Sequence, residues 1–109
     1  MDESLFEKEA ERAFRQIADA FEDIDADDAD IDARSDVINI SFRGGARCVI
    51  NTQRPTRQIW LAGGKDAWHF TFDAATKRWL DDKGRDAELF ETLGRVVRDA
   101  IGFAPDFAN

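Results

Sequence analysis

The stretch Val37–Asn51, which reads VINISFRGGARCVIN, decides the fold because it contains two alternating runs joined by a glycine pair. Apolar residues occupy every second position of both runs, namely Ile38, Ile40 and Phe42, then Cys48 and Ile50. A period of two indicates β-strands that bury one face, and a Gly-Gly pair between such strands is typical of a hairpin turn. We therefore predict an antiparallel hairpin with one apolar face.

Three further strands are predicted on the C-terminal side of this hairpin, at residues 58–62, 68–72 and 78–81. Pro55 breaks the chain before the first of them, and a second Gly-Gly pair turns the chain after it. In that first strand Ile59 and Leu61 point to the apolar face, which leaves Trp60 on the other face. The same alternation places His69 on the outward face of the next strand.

Amphipathic helices are predicted at both ends of the chain. The first has Ser4 as its N-cap and Glu7 as the partner in a capping box. Its apolar residues recur at spacings of three and four, at Phe6, Ala10, Phe14, Ile17, Phe21 and Ile24. The second helix has Asp86 as its cap and Gly102 as its end. Its apolar stripe comprises Leu89, Phe90, Leu93, Val96, Val97 and Ile101.

The predicted order is therefore helix, five or six antiparallel strands, helix. Two amphipathic helices and a sheet with a single apolar face predict a two-layer α+β sandwich, in which both helices cover the same sheet face. The 109 residues are expected to form one domain, residues 1–109, with residues 103–109 as a loose tail. The opposite sheet face is left to solvent, and it carries Asn51, Gln58, Trp60 and His69.

The net charge of -8 argues against nucleic acid and anionic membranes as partners, because both bind basic surfaces. It favours cations or a basic protein instead. The single cysteine, Cys48, excludes an internal disulfide and is interpreted as a small core residue. No apolar run approaches the roughly 18 residues of a membrane span, and the acidic start of the chain is unlike a signal peptide. We therefore expect a cytoplasmic protein.

The segment Glu22–Asp32, EDIDADDADID, concentrates seven carboxylates in eleven residues, and no Lys or Arg lies between Arg15 and Arg34. Carboxylates about 6 Å apart repel by roughly 0.7 kcal/mol even in water, so the segment costs stability. Carboxylate oxygens are hard ligands that suit iron, manganese, calcium and magnesium ions. An EF-hand is excluded, because Asp28 and Arg34 stand where a loop starting at Asp23 needs Gly and Glu.

Two local geometries are expected within this acidic segment. Where the first helix continues into it, Asp19 neighbours both Glu22 and Asp23 at about 5–6 Å, close enough to share an ion. The acids at positions 28, 30 and 32 alternate on a short edge strand and lie about 7 Å apart, too wide for chelation by one strand. We therefore place the tightest binding at the helix end. A solvated face that only blocks aggregation at the sheet edge is the alternative.

The run Asn51–Leu61, NTQRPTRQIWL, the helix–sheet–helix order and the acidic first helix strongly resemble the frataxin family, most closely its bacterial, CyaY-type members. The segment Trp68-His69-Phe70 is similar to the aromatic-His-Phe segment of those members. The resemblance covers nearly the whole chain and departs from the family pattern at residues 27–29, where this chain holds one extra residue. It implies a non-enzymatic regulator of iron–sulfur cluster assembly that binds iron weakly and serves as an iron donor or sensor, with other divalent cations able to substitute.

Carried onto this chain, the acidic ridge of the family comprises Asp19, Glu22, Asp23, Asp25, Asp27, Asp28, Asp30 and Asp32. The partner contacts of the sheet face fall on Asn51, Gln53, Gln58 and Trp60. The partners that the resemblance implies are the cysteine desulfurase and the iron–sulfur scaffold protein, with neither nucleic acid nor membrane involved. A monomer is the expected state, and metal-driven oligomers are the alternative.

Two other functions stay open on the sequence. An iron-oxidising storage protein needs a compact ligand set, which the sequence does not show, although weak oxidation of Fe²⁺ is compatible with it. A metal-independent interaction module uses its carboxylates only to steer association. His69, the single histidine, is either a secondary metal ligand or a surface residue without a role. No Ser-His-Asp or Cys-His arrangement for nucleophilic catalysis is readable.

Overall fold

Six antiparallel strands lie side by side in sequence order, and two helices pack on one face of this sheet. The computed structural model describes residues 1–107. The elements are α1 (Glu3–Ala20), β1 (Ala29–Ala33), β2 (Val37–Phe42), β3 (Arg47–Gln53), β4 (Gln58–Gly63), β5 (Asp66–Asp73), β6 (Arg78–Asp81) and α2 (Leu89–Ile101). The predicted two-layer α+β sandwich is confirmed, with six strands. Within the described residues neither helix is long and apolar enough to cross a membrane.

The hairpin of β2 and β3 forms in the predicted register, with Val37 opposite Asn51 and Ile40 opposite Cys48. Each later strand pairs antiparallel with the one before it, so the sheet is a simple meander. β1 pairs only with β2 and therefore forms an edge, as its alternating acids predict. The β2–β3 and β4–β5 turns consequently lie at the same end of the sheet.

The core fills the space between the sheet and the two helices. Its fully buried side chains come from both layers and include Phe6, Ile17, Ile38, Ile50, Ile59, Phe70, Leu89, Leu93 and Val97. Phe6 of α1 meets Trp79 of β6 edge to face, with ring centroids 6.1 Å apart. At Gly63 the helix α2 approaches β4 so closely that a Cβ would lie 2.8 Å from Cγ1 of Val96. This position therefore requires glycine.

Both predicted helix caps are wrong, because a neighbouring carboxylate takes the role. Asp2 caps α1 by accepting a hydrogen bond from the backbone nitrogen of Leu5 at 2.7 Å, which puts Ser4 inside the first turn. Glu88 caps α2 by accepting from the nitrogens of Phe90 and Glu91 at 3.0 Å. Asp86 lies two residues before Glu88, in the loop that leads to α2, and its φ of 56° is not the extended conformation of an N-cap.

The C-terminal tail packs through one of its two phenylalanines. Phe107 is buried between the helices, with ring centroids 6.1 Å from Phe21 and 5.9 Å from Phe90, and Gln16 donates a hydrogen bond to its backbone oxygen. Phe103, by contrast, is 44% exposed. The predicted loose tail also includes residues 108 and 109, which lie outside the described residues.

Candidate functional site: an acidic edge and an aromatic sheet face

The acidic ridge runs along one edge of the molecule, from the end of α1 through a turn into β1. The helix ends at Ala20, so Glu22 and Asp23 lie beyond it, and helical geometry does not set their spacing to Asp19. Tight turns continue the chain instead, since the backbone nitrogen of Glu22 donates to the oxygen of Asp19 at 3.2 Å. Seven of the eight predicted ridge residues are exposed, and Asp28 is half-buried.

Arg43 neutralises Asp28 from the neighbouring β2–β3 turn. Its guanidinium forms an ion pair with the Asp28 carboxylate, and its backbone nitrogen donates to the Asp28 oxygen at 2.9 Å. The same side chain reaches the backbone oxygen of Ile101 at the end of α2, at 3.4 Å. Asp28 and Arg43 are 15 residues apart in the sequence, so the charges near Asp28 in the sequence did not predict this pair. Asp28 is therefore a structural anchor of the ridge as well as one of its acids.

Two other ridge acids have partners within the described residues. Asp25 accepts a hydrogen bond from the backbone nitrogen of Asp27 at 2.9 Å, and Asp32 lies 3.5 Å from Arg34. The remaining five carboxylates have neither a hydrogen bond nor an ion pair with residues 1–107: Asp19, Glu22, Asp23, Asp27 and Asp30. These five keep their full capacity to attract a cation or a basic side chain.

The ridge does not gather its acids into a compact metal cage. Asp19 and Asp23 line one hollow of about 370 Å³, together with Asp106 of the C-terminal tail, an acid that the sequence analysis did not assign to the ridge. Even so, the described residues contain no group of three or more His, Cys, Asp or Glu side chains arranged to hold one ion. The donor chemistry fits a hard cation, and the spacing fits only weak, shared binding.

The second candidate surface is the outer face of the sheet, around Trp60. Trp60 lies directly between Asn51 on β3 and His69 on β5, as the strand pairing predicts. Its indole stacks on the His69 imidazole, with centroids 4.0 Å apart and ring planes 13° from parallel. Trp60 is half-buried, and the imidazole supports one face of its ring. The stack assigns His69 a local role, that of supporting Trp60.

Gln58 lies on the same face, but it is only 9% exposed, whereas the sequence predicted a solvated side chain. Its Nε2 donates to Oδ2 of Asp82 at 2.8 Å and to Oγ1 of Thr71 at 3.2 Å. Its Oε1 accepts from Nε1 of Trp60 at 2.9 Å. An ionised carboxylate accepts hydrogen bonds and donates none, so Asp82 orients the amide. Gln58 therefore holds Trp60 in place from within the surface.

The sequence analysis did not assign Asp82 to the outer sheet face, although the alternation of β6 indicates this position. Its backbone nitrogen donates to the His69 oxygen at 2.9 Å, which extends the β5–β6 pairing one residue beyond β6. Strand alternation then places its side chain on the outer face, where Oδ2 lies 3.8 Å from Nδ1 of His69. Asp82 thus contacts two of the side chains that surround Trp60.

The other two predicted partner contacts also lie on this part of the sheet. Asn51 is opposite Trp60, and Gln53 is opposite Gln58, and both are half-buried. Three strand spacings separate β4 from the ridge strand β1, which amounts to about 14 Å. The acidic edge and the aromatic face are therefore two separate surfaces.

Cys48 belongs to neither surface. Its side chain is 1% exposed in the core, and burial raises the pKa of its thiol to about 12. A thiol that keeps its proton is a poor nucleophile and a poor metal ligand. The interpretation of Cys48 as a core residue is confirmed.

These features define a small α+β protein with two exposed surfaces, one acidic and one aromatic, that suit binding to cations and proteins. Residues 1–103 match the family model described as the frataxin-like domain. The chain belongs to the frataxin family, in its bacterial, CyaY-type branch.

Relatives and a solved structure agree with this assignment. The chain is 36% identical over 93 residues to a protein of Azotobacter vinelandii named iron-sulfur cluster assembly protein CyaY, a match that covers 85% of this chain and 83% of that one. A protein of the same name from Pseudomonas fluorescens is 31% identical over 107 residues, covering 98% and 96% of the two chains. The fold matches that of frataxin from Psychromonas ingrahamii with a TM-score of 0.87 over both whole chains, at 24% identity.

Proposed function

We propose that this protein binds iron weakly and regulates iron–sulfur cluster assembly by binding the cysteine desulfurase complex. The observation that carries the proposal is the set of five exposed ridge carboxylates without a partner among the described residues. Mutual repulsion makes such a set costly, and a cation or a basic protein surface relieves it. The relatives named as iron–sulfur cluster assembly proteins support the choice of pathway.

The aromatic face supplies the second contact in this proposal. Half-buried tryptophans with a fixed side chain are frequent hot spots of protein interfaces. Trp60 is held by the His69 stack and by the Gln58 hydrogen bond, so little side-chain entropy is lost when a partner covers it. We assign Trp60 and Asn51 to direct contact with the scaffold protein in the complex, and Gln58 to the support of Trp60.

A metal-independent interaction module is the second candidate, because the described part of the chain holds no three-carboxylate cage. In that case the ridge steers association with a basic patch of the desulfurase, and iron plays no part. The two candidates differ in one observable. If the protein binds iron, Fe²⁺ at concentrations near its dissociation constant changes the environment of the ridge residues. If the protein is a metal-independent interaction module, Fe²⁺ leaves that environment unchanged.

The test compares two double variants that remove the same charge. Asp23→Asn with Asp30→Asn neutralises the ridge, and Asp86→Asn with Asp99→Asn neutralises two acids elsewhere that also lack an ion pair with residues 1–107. We expect the ridge variant to bind the desulfurase about tenfold more weakly, mainly through a slower association rate, and the control to stay within about twofold. Equal affinities for both variants contradict the assignment of the ridge as the docking surface.

An anaerobic titration with Fe²⁺, followed by NMR at each backbone amide, decides between the two candidates. We expect signals of residues 19–32 to shift or broaden first in the wild type, and later in the ridge variant. If millimolar iron leaves these signals unchanged while the desulfurase still binds, the interaction module replaces the iron-binding proposal.

A further inference from the structure

Most arginines of this acidic chain are neutralised by a neighbouring acid. The chain has 15 Lys and Arg residues, and the ion-paired members are Arg12, Arg15, Arg34, Arg43, Arg54, Arg78 and Arg85. Of the cations without an ion pair to residues 1–107, Arg47, Lys65 and Lys83 line the same hollow, of about 630 Å³. We call these three residues the basic corner. In a chain with 23 Asp and Glu residues, three cations therefore lie together without an ion pair to any of residues 1–107.

The one acid that lines this hollow is already engaged. Asp66 forms an ion pair with Arg85 at 3.3 Å. Arg85 is itself held by Asp81, whose oxygen lies 2.7 Å from its Nε, and by the backbone oxygen of Ala67 at 3.0 Å. Arg85 is thus shared between Asp66 and Asp81, so these three residues keep one net negative charge, and the three corner cations still leave the hollow with a positive balance.

The floor of the hollow is made of small side chains on the outer sheet face. Ala62 and Ala67 are paired across β4 and β5 and are exposed, and Val49 lies beside Ala62 on β3. Small side chains let the main chain of a partner come close to the sheet. The next outward position along β4 is Trp60, about 7 Å away, so the hollow opens directly onto the aromatic face.

We propose that the basic corner docks an acidic, extended segment of the protein that covers Trp60. The inference rests on the proposed function for the identity of that protein, and on charge complementarity for the chemistry of the segment. Nucleic acid is the poorer occupant, because its charge continues beyond the three corner cations and meets the rest of a chain with a net charge of -8, whereas the acids of a short peptide segment need only match the corner. The frataxin-family chain then presents its acidic ridge to a basic partner and its basic corner to an acidic partner. It can therefore hold both partners in one complex.

The first test uses hexaglutamate as the probe and follows the backbone amides by NMR. We expect shifts at Arg47, at residues 62–67 and at Lys83. They should be lost in the double variant Lys65→Glu with Lys83→Glu. They should persist in Lys8→Glu with Lys77→Glu, which changes two exposed lysines away from the corner by the same charge. Shifts spread over all lysines, or lost equally in both variants, overturn the proposal.

Inorganic phosphate distinguishes a peptide site from a general anion site. At equal total charge we expect phosphate to shift fewer of these amides, and more weakly, because it cannot span three cations along the sheet. If phosphate reproduces the full hexaglutamate pattern at equal charge, the corner is a small-anion site and the peptide proposal is overturned.

The second test measures affinity for the assembled complex of desulfurase and scaffold. We expect the corner variant to bind at least tenfold more weakly than wild type, and the Lys8→Glu, Lys77→Glu control within about threefold. Equal weakening in both variants overturns the proposal that the basic corner docks an acidic segment. If the wild type itself does not bind the complex, the proposed function fails, and the hexaglutamate titration still decides whether the corner binds acidic segments.

Discussion

Asp82 accepts a hydrogen bond from Nε2 of Gln58 at 2.8 Å, and this contact decides which end of the Gln58 amide faces Trp60. The carboxylate can only accept, so the amide nitrogen faces Asp82, and the amide oxygen is left for Nε1 of Trp60 at 2.9 Å. A residue one position past the last strand thereby sets the orientation of an indole on β4. The aromatic face is therefore held in place before a partner arrives.

Asp82→Asn is expected to loosen this arrangement without unfolding the protein. An asparagine can donate as well as accept, so the Gln58 amide can turn and release the Trp60 nitrogen. One lost hydrogen bond of about 0.5–1.5 kcal/mol corresponds to roughly 2- to 12-fold weaker binding of the desulfurase complex. We expect the indole proton signal of Trp60 to move as well, with Asp86→Asn as the control. An unchanged indole signal would remove Asp82 from the support of Trp60.

Trp60→Ala should separate binding from folding. Trp60 is half-buried on the outer face, so its loss opens no core cavity, whereas a hot-spot tryptophan contributes about 2 kcal/mol or more to binding, roughly 30-fold in affinity. Trp79→Ala is the contrasting variant, because Trp79 is 3% exposed and its truncation should cost about 3–5 kcal/mol of folding stability. Thermal unfolding and complex binding, measured on both variants, should give opposite rankings. Wild-type affinity in Trp60→Ala would exclude Trp60 from the interface.

The order of elements was predictable because it depends on periodicities that survive in single sequences. Val37–Asn51 and the two apolar stripes specify which side chains are buried, and their burial forces the two layers together. The helix caps were not predictable at residue level, since several nearby side chains can accept the same backbone hydrogen bonds. Asp2 and Glu88 are the N-caps because the backbone at those positions is extended.

The candidate site was predictable only where its residues are close in sequence. The ridge acids and the Asn51–Leu61 run were found, but the Arg43 partner of Asp28 and the Asp82 partner of Gln58 were not. Those pairs span 15 and 24 residues, and they depend on strand register and side-chain rotamers. The spacing of residues within a short stretch of sequence specifies neither the strand register nor the side-chain rotamers.

The Asp81–Arg85 ion pair predicts a loss of stability in acid. The hydrogen bond from Arg85 lowers the pKa of Asp81 below its ordinary value of 3.8, so at low pH the unfolded chain binds the proton more readily than the folded protein does. Asp81 therefore contributes stability above about pH 4, and this contribution is lost as the pH falls through the lowered pKa. We expect Asp81→Asn to be less stable than wild type at neutral pH. The difference should shrink in urea unfolding curves as the pH falls through the lowered pKa of Asp81. A difference that is constant with pH would contradict this.

Metal binding to the ridge should raise the melting temperature. At about 100 times the dissociation constant, a ligand that binds only the folded state stabilises it by about 2.7 kcal/mol, or roughly 10 °C for a chain of this size. Ca²⁺ and Mn²⁺ should act much like anaerobic Fe²⁺, because hard oxygen ligands without a cage select poorly. The Asp23→Asn, Asp30→Asn variant should start from a higher melting temperature and gain less from metal. The same melting curve with and without millimolar metal would argue against cation binding at the ridge.

Two glycines should respond in opposite directions to substitution by alanine. At Gly63 the new Cβ would lie 2.8 Å from Cγ1 of Val96 and 3.5 Å from Sγ of Cys48, so Gly63→Ala should cost about 1–3 kcal/mol by forcing α2 away from the sheet. At Gly94, inside α2, the only atom of residues 1–107 that a Cβ meets belongs to the Phe107 ring, at 3.9 Å. Gly94→Ala should therefore gain about 0.8–1 kcal/mol from helix propensity. Urea unfolding measures both free-energy changes.

Val96→Ala removes the clashing methyl groups, so in the double variant the cost of Gly63→Ala should fall well below its value alone. Additive costs in that cycle would show that the close approach of α2 to β4 is not what requires glycine at position 63.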